Sequence, residues 1–147
     1  MSYQIREQIL INGFHFETFS QPLSIYEEVI KQKLVENKDR LSALWRDYVG
    51  CWEINFGRLF LHKILIPDSA EGSLLKEISY KPIFNTDDKV FARWFSGEIV
   101  VPKGRIIMED FYENIYEINA HYIFTHGILT DHYNEDNTKR NWKPDPF

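Results

Sequence analysis

The sequence predicts a mainly β, α+β fold: an antiparallel meander sheet, curled or barrel-like, with one or two N-terminal helices packed on it. Three observations predict it. Runs rich in β-branched and aromatic residues follow one another at short spacing, with turn-forming residues between them. The 3.6-residue period of an amphipathic helix is confined to the front of the chain. Strand–helix alternation, which would mark a doubly wound parallel sheet, is absent.

Gln4–Ile11 and Phe14–Phe19 read as two strands around Asn12-Gly13, a pair that tolerates φ > 0 at both positions. Pro22 interrupts. Ser24 then precedes Glu27 by three, a capping-box spacing, and Ile25, Val29, Leu34 and Val35 alternate with charged residues. A helix is expected from about Ile25 to Glu36. A short second helix is expected over Leu41–Asp47, with Leu41, Leu44 and Trp45 on one side. Val49–Phe56 and Arg58–Ile66 flank the Asn55-Phe56-Gly57 turn as a long hairpin. In the second strand, Leu59, Leu61 and Leu65 fall on one face and Phe60, His62, Ile64 and Ile66 on the other. With both faces apolar, that strand is expected to be central or covered twice.

Leu74–Tyr80 is a weaker strand, limited by Pro82. Asn85-Thr86-Asp87-Asp88 reads as a turn or helix start, and Phe91–Phe95 as one helical turn stopped by Gly97. Glu98–Val101 and Arg105–Met108 read as a compact hairpin around Pro102-Lys103-Gly104. Tyr116, Ile118, Ala120, Tyr122 and Phe124 alternate with polar residues, the cleanest period of two in the chain and the mark of a half-buried strand. His126-Gly127 turns it into Ile128–Tyr133. Residues 1–133 are expected to form one globular domain and 134–147 a polar C-terminal tail.

Composition narrows the function. The chain has 147 residues, 44% hydrophobic and 16% aromatic, enough for one substantial core. No run approaches ~18 apolar residues, and MSYQIREQIL lacks the apolar stretch of a secretory signal. A cytoplasmic location and no membrane partner are expected. The single cysteine, Cys51, excludes an internal disulfide and a multi-cysteine zinc site. A net charge of −5 disfavours nucleic acid as a partner.

Two stretches carry a resemblance. One is Trp45-Arg46-Asp47-Tyr48-Val49-Gly50-Cys51-Trp52-Glu53-Ile54, followed by Arg58-Leu59-Phe60-Leu61. The other is Val90-Phe91-Ala92-Arg93-Trp94-Phe95-Ser96-Gly97-Glu98-Ile99, running on through Val101-Pro102-Lys103-Gly104. Together they resemble a group of small uncharacterised bacterial proteins with WRxYxGxWxI…LYL and VFAxWFSGxLxxPxGK segments. The resemblance covers about a third of the chain as a fraction of its motif positions, and it implies no particular chemistry. Gly50-Cys51-Trp52 ahead of a strand also resembles the Gly-x-Trp of lipocalin-type barrels, in which the tryptophan packs across the closed end. Here that motif lies well inside the chain rather than near its start.

The candidate chemical groups are few. His121, His126 and His132 lie near Asp131 and Glu135, donors that zinc accepts. Positions 121 and 126 differ by an odd number, however, so on one continuous strand they face opposite ways. Cys51 lacks any hydrolase signature and reads as a small buried apolar residue. Ser96-Gly97 is not a nucleophile elbow, and no glycine-rich phosphate loop is present. Asp87-Asp88 and Glu109-Asp110 are adjacent pairs that do not converge on a strand. No catalytic residue, cofactor or metal is therefore expected.

Binding groups are more visible. Trp45, Trp52 and Trp94, with Arg46 and Arg93 beside two of them, read either as core or as an aromatic groove flanked by arginines. Residues 104–147 hold 4 basic and 8 acidic residues, concentrated in the aromatic-acidic run from Glu109 to Glu117. That run reads as a solvated edge or as a docking face for a basic protein. The candidate binding residues are Trp45, Arg46, Tyr48, Arg93, Trp94, Glu109, Asp110, Tyr112, Glu113 and Tyr116. The expected function is a non-enzymatic protein-binding module, of the kind an immunity-like inhibitor of a basic protein would be. The alternative is a small-ligand-binding β-barrel or half-barrel holding an apolar ligand, with Trp45, Trp52, Trp94 and Phe95 walling the pocket. An enzyme would need His62, His121 or His126 beside a carboxylate at the bottom of one cleft.

Overall fold

A computed structural model of the chain describes residues 5–34, 48–68, 75–109 and 114–139. Within them lie β1 (Glu7–Ile11), β2 (Phe14–Thr18), α1 (Glu27–Lys33), β3 (Val49–Asn55), β4 (Arg58–Pro67), β5 (Leu75–Ile78), α2 (Lys81–Phe84), β6 (Val90–Phe91), β7 (Gly97–Met108), β8 (Ile115–Thr125) and β9 (Ile128–Asp136). The fold is mainly β, as expected. The nine strands form one sheet in the order β2-β1-β3-β4-β9-β8-β7, with β5 and β6 also paired to β4.

Two features depart from an antiparallel meander. The first is a parallel pair: β1 runs alongside β3, with Ile9 opposite Trp52. The chain leaves β1 through the β2 hairpin and passes α1 before β3 begins. That connection is long enough to bring the chain back in the same direction, as parallel pairing requires. The second is that the sheet is not a closed barrel. No backbone ladder joins its ends, β2 and β7. Side chains bridge them instead: the Thr18 hydroxyl donates to the Val100 carbonyl at 2.6 Å, and the Val100 N–H donates to the Ser20 hydroxyl at 3.1 Å.

Turn chemistry fixes the hairpins. Asn12-Gly13, Phe56-Gly57 and His126-Gly127 each place two successive residues at positive φ, the geometry that matches the twist of paired strands. The hydrogen-bonded edges of β4 make that strand central in the sheet. Along one edge it pairs with β3, and along the other it meets the start of β9, then β6, then β5.

Bulges bend the sheet and revise the expected faces. β4 carries one extra residue, His62, between Leu61 opposite Trp52 and Lys63 opposite Cys51. The extra residue shifts the alternation by one position. Leu59, Leu61, Ile64 and Ile66 all become buried, so the division of this strand into odd and even faces fails after His62. The hairpin expected around Pro102-Lys103-Gly104 is likewise replaced. β7 is one continuous strand whose register with β8 slips between Lys103 and Ile106 and again before Met108. Gly104, at φ +86°, takes the left-handed conformation of a bulge rather than of a turn. A Cβ there would also press to 3.1 Å from Glu117 Cβ.

The helical segments are shorter than expected. A 3-10 turn at Ser24–Tyr26 precedes α1, and neither has a side-chain cap, so the Ser24 capping box does not form. α1 still places Glu27 and Glu28 in its first turn and Lys31 and Lys33 in its last, which suits the helix dipole. Ile30 and Leu34 bury its apolar side. The second expected helix, Leu41–Asp47, lies outside the described residues. α2 was not expected: Pro82 sits in its first turn, where its missing N–H is harmless, and Asn85 ends it at φ 59°. Phe91–Phe95 forms no helix. A two-residue strand leads into a turn in which the Phe95 N–H donates to the Ala92 carbonyl at 3.0 Å. β9 runs to Asp136, past the end of the periodic pattern at Tyr133, and a 3-10 turn follows at Asn137–Lys139.

The core fills the concave side of the sheet. Ile9, Trp52, Leu61, Ile64, Ile99, Val101, Ala120 and Phe124 are buried there together. One face of an aromatic group adjoins them. Trp94 stacks on Phe84 at 5.4 Å, meets the Tyr26 edge at 5.1 Å and approaches Trp52 at 6.4 Å.

Candidate functional site

The open end of the curled sheet holds a cleft of about 440 Å³. Its rim is the pair of turns Asn12-Gly13 and Phe56-Gly57. Its walls are Ile11 from β1, Glu53 and Ile54 from β3, Tyr122 from β8, and Leu129 and His132 from β9. The cleft exists because β9 touches β4 only at its beginning. Arg58 lies opposite Ile128, the Leu59 N–H donates to the Gly127 carbonyl at 2.9 Å, and the Leu129 N–H donates to the Gly57 carbonyl at 2.7 Å. Beyond that point β4 takes β6 and β5 as partners instead.

Sheet register supplies the cleft's aromatic wall. Tyr122 and His132 are directly opposite one another on β8 and β9. Their rings stack at 4.4 Å and 8°. On the far side of Tyr122, the Lys103 ammonium donates to the Tyr122 hydroxyl at 3.1 Å. It also lies 4.6 Å from the centroid of the Phe16 ring on β2 and 5.6 Å from that of Tyr122. Glu53 is ion-paired with Lys89. Phe56 projects from the rim with 96% of its surface exposed, at a φ of 50° that a bulky residue seldom adopts.

A second group of polar residues lies on the opposite face of the same strands. His121 Nδ1 bonds Glu98, and Nε2 lies 3.2 Å from Glu135. The ring stacks on Tyr133 at 4.6 Å. Burial pulls the His121 pKa down, but the hydrogen bonds to Glu98 and Glu135 and their negative charge outweigh it. The net effect holds the imidazole above its ordinary range. The two carboxylates sit on opposite ring nitrogens, so the three groups do not face a common point. Among the described residues, no group of three histidine, cysteine or acidic side chains is placed to hold a metal ion. His126 occupies a turn at φ 49°, and His132 faces the cleft, so the three histidines of this region diverge.

Cys51 is buried, and its thiol contacts the Gln8 side-chain oxygen at 3.6 Å. Burial is the main reason its pKa is pushed up to about 12, with Glu7 and Glu77 adding to the rise and Lys63 opposing it. The group is a neutral thiol at physiological pH, not a nucleophile. Gly50 beside it has a defined role. The Gly50 N–H donates to Glu7 Oε2 at 2.6 Å, and the Trp52 indole donates to Glu7 Oε1 at 3.3 Å. A Cβ at position 50 would lie 2.5 Å from Glu7 Oε1 and 2.7 Å from Trp52 Nε1. The Gly-x-Trp motif thus makes room for a buried carboxylate.

The candidate binding residues that are described do not gather at the cleft. Trp45, Arg46, Asp110, Tyr112 and Glu113 lie outside the described residues. Tyr48 is fully buried in the core. Trp94 is half-buried, and its indole donates to the Pro22 carbonyl at 2.7 Å. Arg93 is exposed, with its guanidinium 5.8 Å from the centroid of the Phe91 ring. Glu109 is exposed just past β7. Tyr116 is half-buried and accepts a hydrogen bond from Arg6 at 3.3 Å. Trp52 and Trp94 join the core cluster rather than the cleft, and Phe95 packs at 6.0 Å from Phe124. None of the tryptophans among the described residues lines the cleft.

Sequence reasoning missed Lys103, Phe16 and Tyr122 as a group. The only signal for any of them is the period of two in β8, which places Tyr122 on the buried face. Comparison with protein-family models, with curated proteins and with solved structures finds no match. The site's chemistry therefore rests on geometry alone. No helix among the described residues is long and apolar enough to cross a membrane.

Proposed function

We propose that the protein is a binding module that receives a small ligand in the cleft at the open end of its curled sheet. The cleft itself carries the proposal. Its volume, about 440 Å³, falls within the ~300–1,000 Å³ span of small-molecule sites. Its composition suits the same role: Ile11, Ile54 and Leu129 supply apolar wall, while Tyr122, His132 and Glu53 supply a few polar groups. Binding is favoured over catalysis because His121, Glu98 and Glu135 lie on the opposite face of the sheet and do not face a common point.

The test is a small-molecule fragment screen by NMR on the full chain. Fragments are expected to shift the amides of Tyr122, Leu129 and His132. Leu129→Trp, which fills the cleft, is expected to abolish those shifts. Binding that ignores Leu129→Trp, or that maps elsewhere, overturns the proposal.

A second reading keeps a basic protein as partner. It is favoured by Ile106 and Ile107, which are exposed on β7 just before Glu109 and lead into the acidic run. Charge reversal at Glu109 and Glu117 would then weaken binding to a basic partner and reduce its salt dependence. Unchanged binding would remove this reading.

A further inference from the structure

We infer that the occupant of the cleft is a small organic carboxylate on a flat apolar body, recognised through Lys103 and Tyr122. The inference rests on the cleft being the binding site.

Lys103 is the decisive residue. It is half-buried on β7, immediately before the bulge at Gly104. Its ammonium sits against the rings of Phe16 and Tyr122 and donates to the Tyr122 hydroxyl. Among the described residues no carboxylate forms an ion pair with it. Half-buried, Lys103 keeps part of its hydration, and the two aromatic faces compensate part of what burial removes.

Tyr122 conveys that charge toward the cleft. Its hydroxyl oxygen accepts from Lys103, so its own proton is free to be donated elsewhere. Among the described residues nothing accepts that proton. A phenol that accepts from an ammonium is polarised into a stronger donor. The other charged wall residue, Glu53, is already neutralised by Lys89. Lys103 itself stands behind Tyr122 rather than on the cleft wall, so its charge acts through the phenol.

The remaining walls select the body of the ligand. The stacked Tyr122–His132 pair offers a flat surface, faced by Ile11, Ile54 and Leu129. A planar apolar group is the body that such walls complement. A carboxylate in the cleft accepts from the Tyr122 phenol, whose oxygen is already held by the Lys103 ammonium.

The experiment is an NMR titration of the full chain with 2-naphthoate and with its neutral isostere 2-naphthamide, at fixed salt. Both probes are expected to shift amides around Tyr122 and His132, with naphthoate binding about tenfold tighter, as a charge-assisted contact would give. Lys103→Met is expected to erase the preference, Lys103→Arg to keep it, and Tyr122→Phe to reduce it. Equal affinity for the two probes, or a preference that survives Lys103→Met, overturns the carboxylate inference and leaves the cleft standing as a site. Failure of both probes to shift the cleft amides overturns the inference and the cleft reading together.

Discussion

Thr18 holds Val100 across the gap between the two ends of the sheet. Its hydroxyl donates to the Val100 carbonyl, while the Ser20 hydroxyl accepts from the Val100 N–H. Two side chains thus occupy the backbone groups that a neighbouring strand would otherwise take. Pro102, two residues further along the same edge, has no N–H to offer a ladder. At Val100 the edge is capped without a strand.

Thr18→Val removes the donor but keeps the shape. Thr18 is fully buried, so the Val100 carbonyl loses its partner in a dry place. A loss of about 1–3 kcal/mol is expected, the range for a buried polar group left unsatisfied. Urea melts measure it. Amide exchange in β2 and β7 should quicken more than in β3 and β4, and Thr18→Ser should restore both.

Gly50→Ala forces a methyl group into the Glu7 carboxylate and the Trp52 indole. Glu7→Leu instead strands two donors, the Gly50 N–H and the Trp52 N–H. At ~1–3 kcal/mol for each orphaned group, Glu7→Leu is expected to destabilise by about 2–6 kcal/mol. Glu7→Gln keeps one accepting oxygen and should lose less. Denaturant unfolding of the three variants orders them, and a stable Glu7→Leu would show that the carboxylate is dispensable.

Trp52→Ala truncates a ring that is 2% exposed and touches Trp94. A loss of about 3–5 kcal/mol is expected, as for other large aromatic truncations in cores. A thermal melt within error of the parent would contradict the core placement.

His121 makes stability depend on pH. Its folded pKa is raised by Glu98 and Glu135 against the opposing effect of burial. A raised folded value means that the charged form is favoured in the native state. The stabilisation is therefore complete below the unfolded pKa of about 6.5 and is lost as pH rises through the folded value. Chemical melts at mildly acid and mildly alkaline pH should show the loss on the alkaline side. His121→Gln should flatten it, and a proton titration of the ring followed by NMR locates the midpoint.

Cys51 should resist alkylation in the native protein. With its pKa near 12, the thiolate fraction at pH 8 is about 10³-fold below that of an ordinary thiol. Iodoacetamide labelling followed by mass spectrometry is expected to be slow until denaturant is added. Rapid native labelling would mean that the thiol is accessible and activated.

Much of this architecture is written locally. Asn12-Gly13 and His126-Gly127 announce hairpins because both residues of each pair accept positive φ. The alternation in β8 places Ala120, Tyr122 and Phe124 inside because side-chain direction in a strand depends only on parity. What is not written locally is anything that changes parity or brings distant strands together. The extra residue at His62 exchanges the faces of β4, and the bulge at Gly104 turns an expected hairpin into one bent strand. Neither leaves a periodic trace, because a bulge adds one residue without changing composition.

The candidate site follows the same division. By itself the sequence determined a mainly β chain, rich in large aromatic rings, with a single cysteine that reads as buried. Tertiary structure alone decided that Trp52 and Trp94 pack inward, that β1 lies parallel to β3, and that Lys103, Phe16, Tyr122 and His132 gather from four strands. The physical reason is that strand pairing is a long-range choice. It depends on which edges remain unsatisfied once the local hairpins have formed, and no short stretch of residues encodes that.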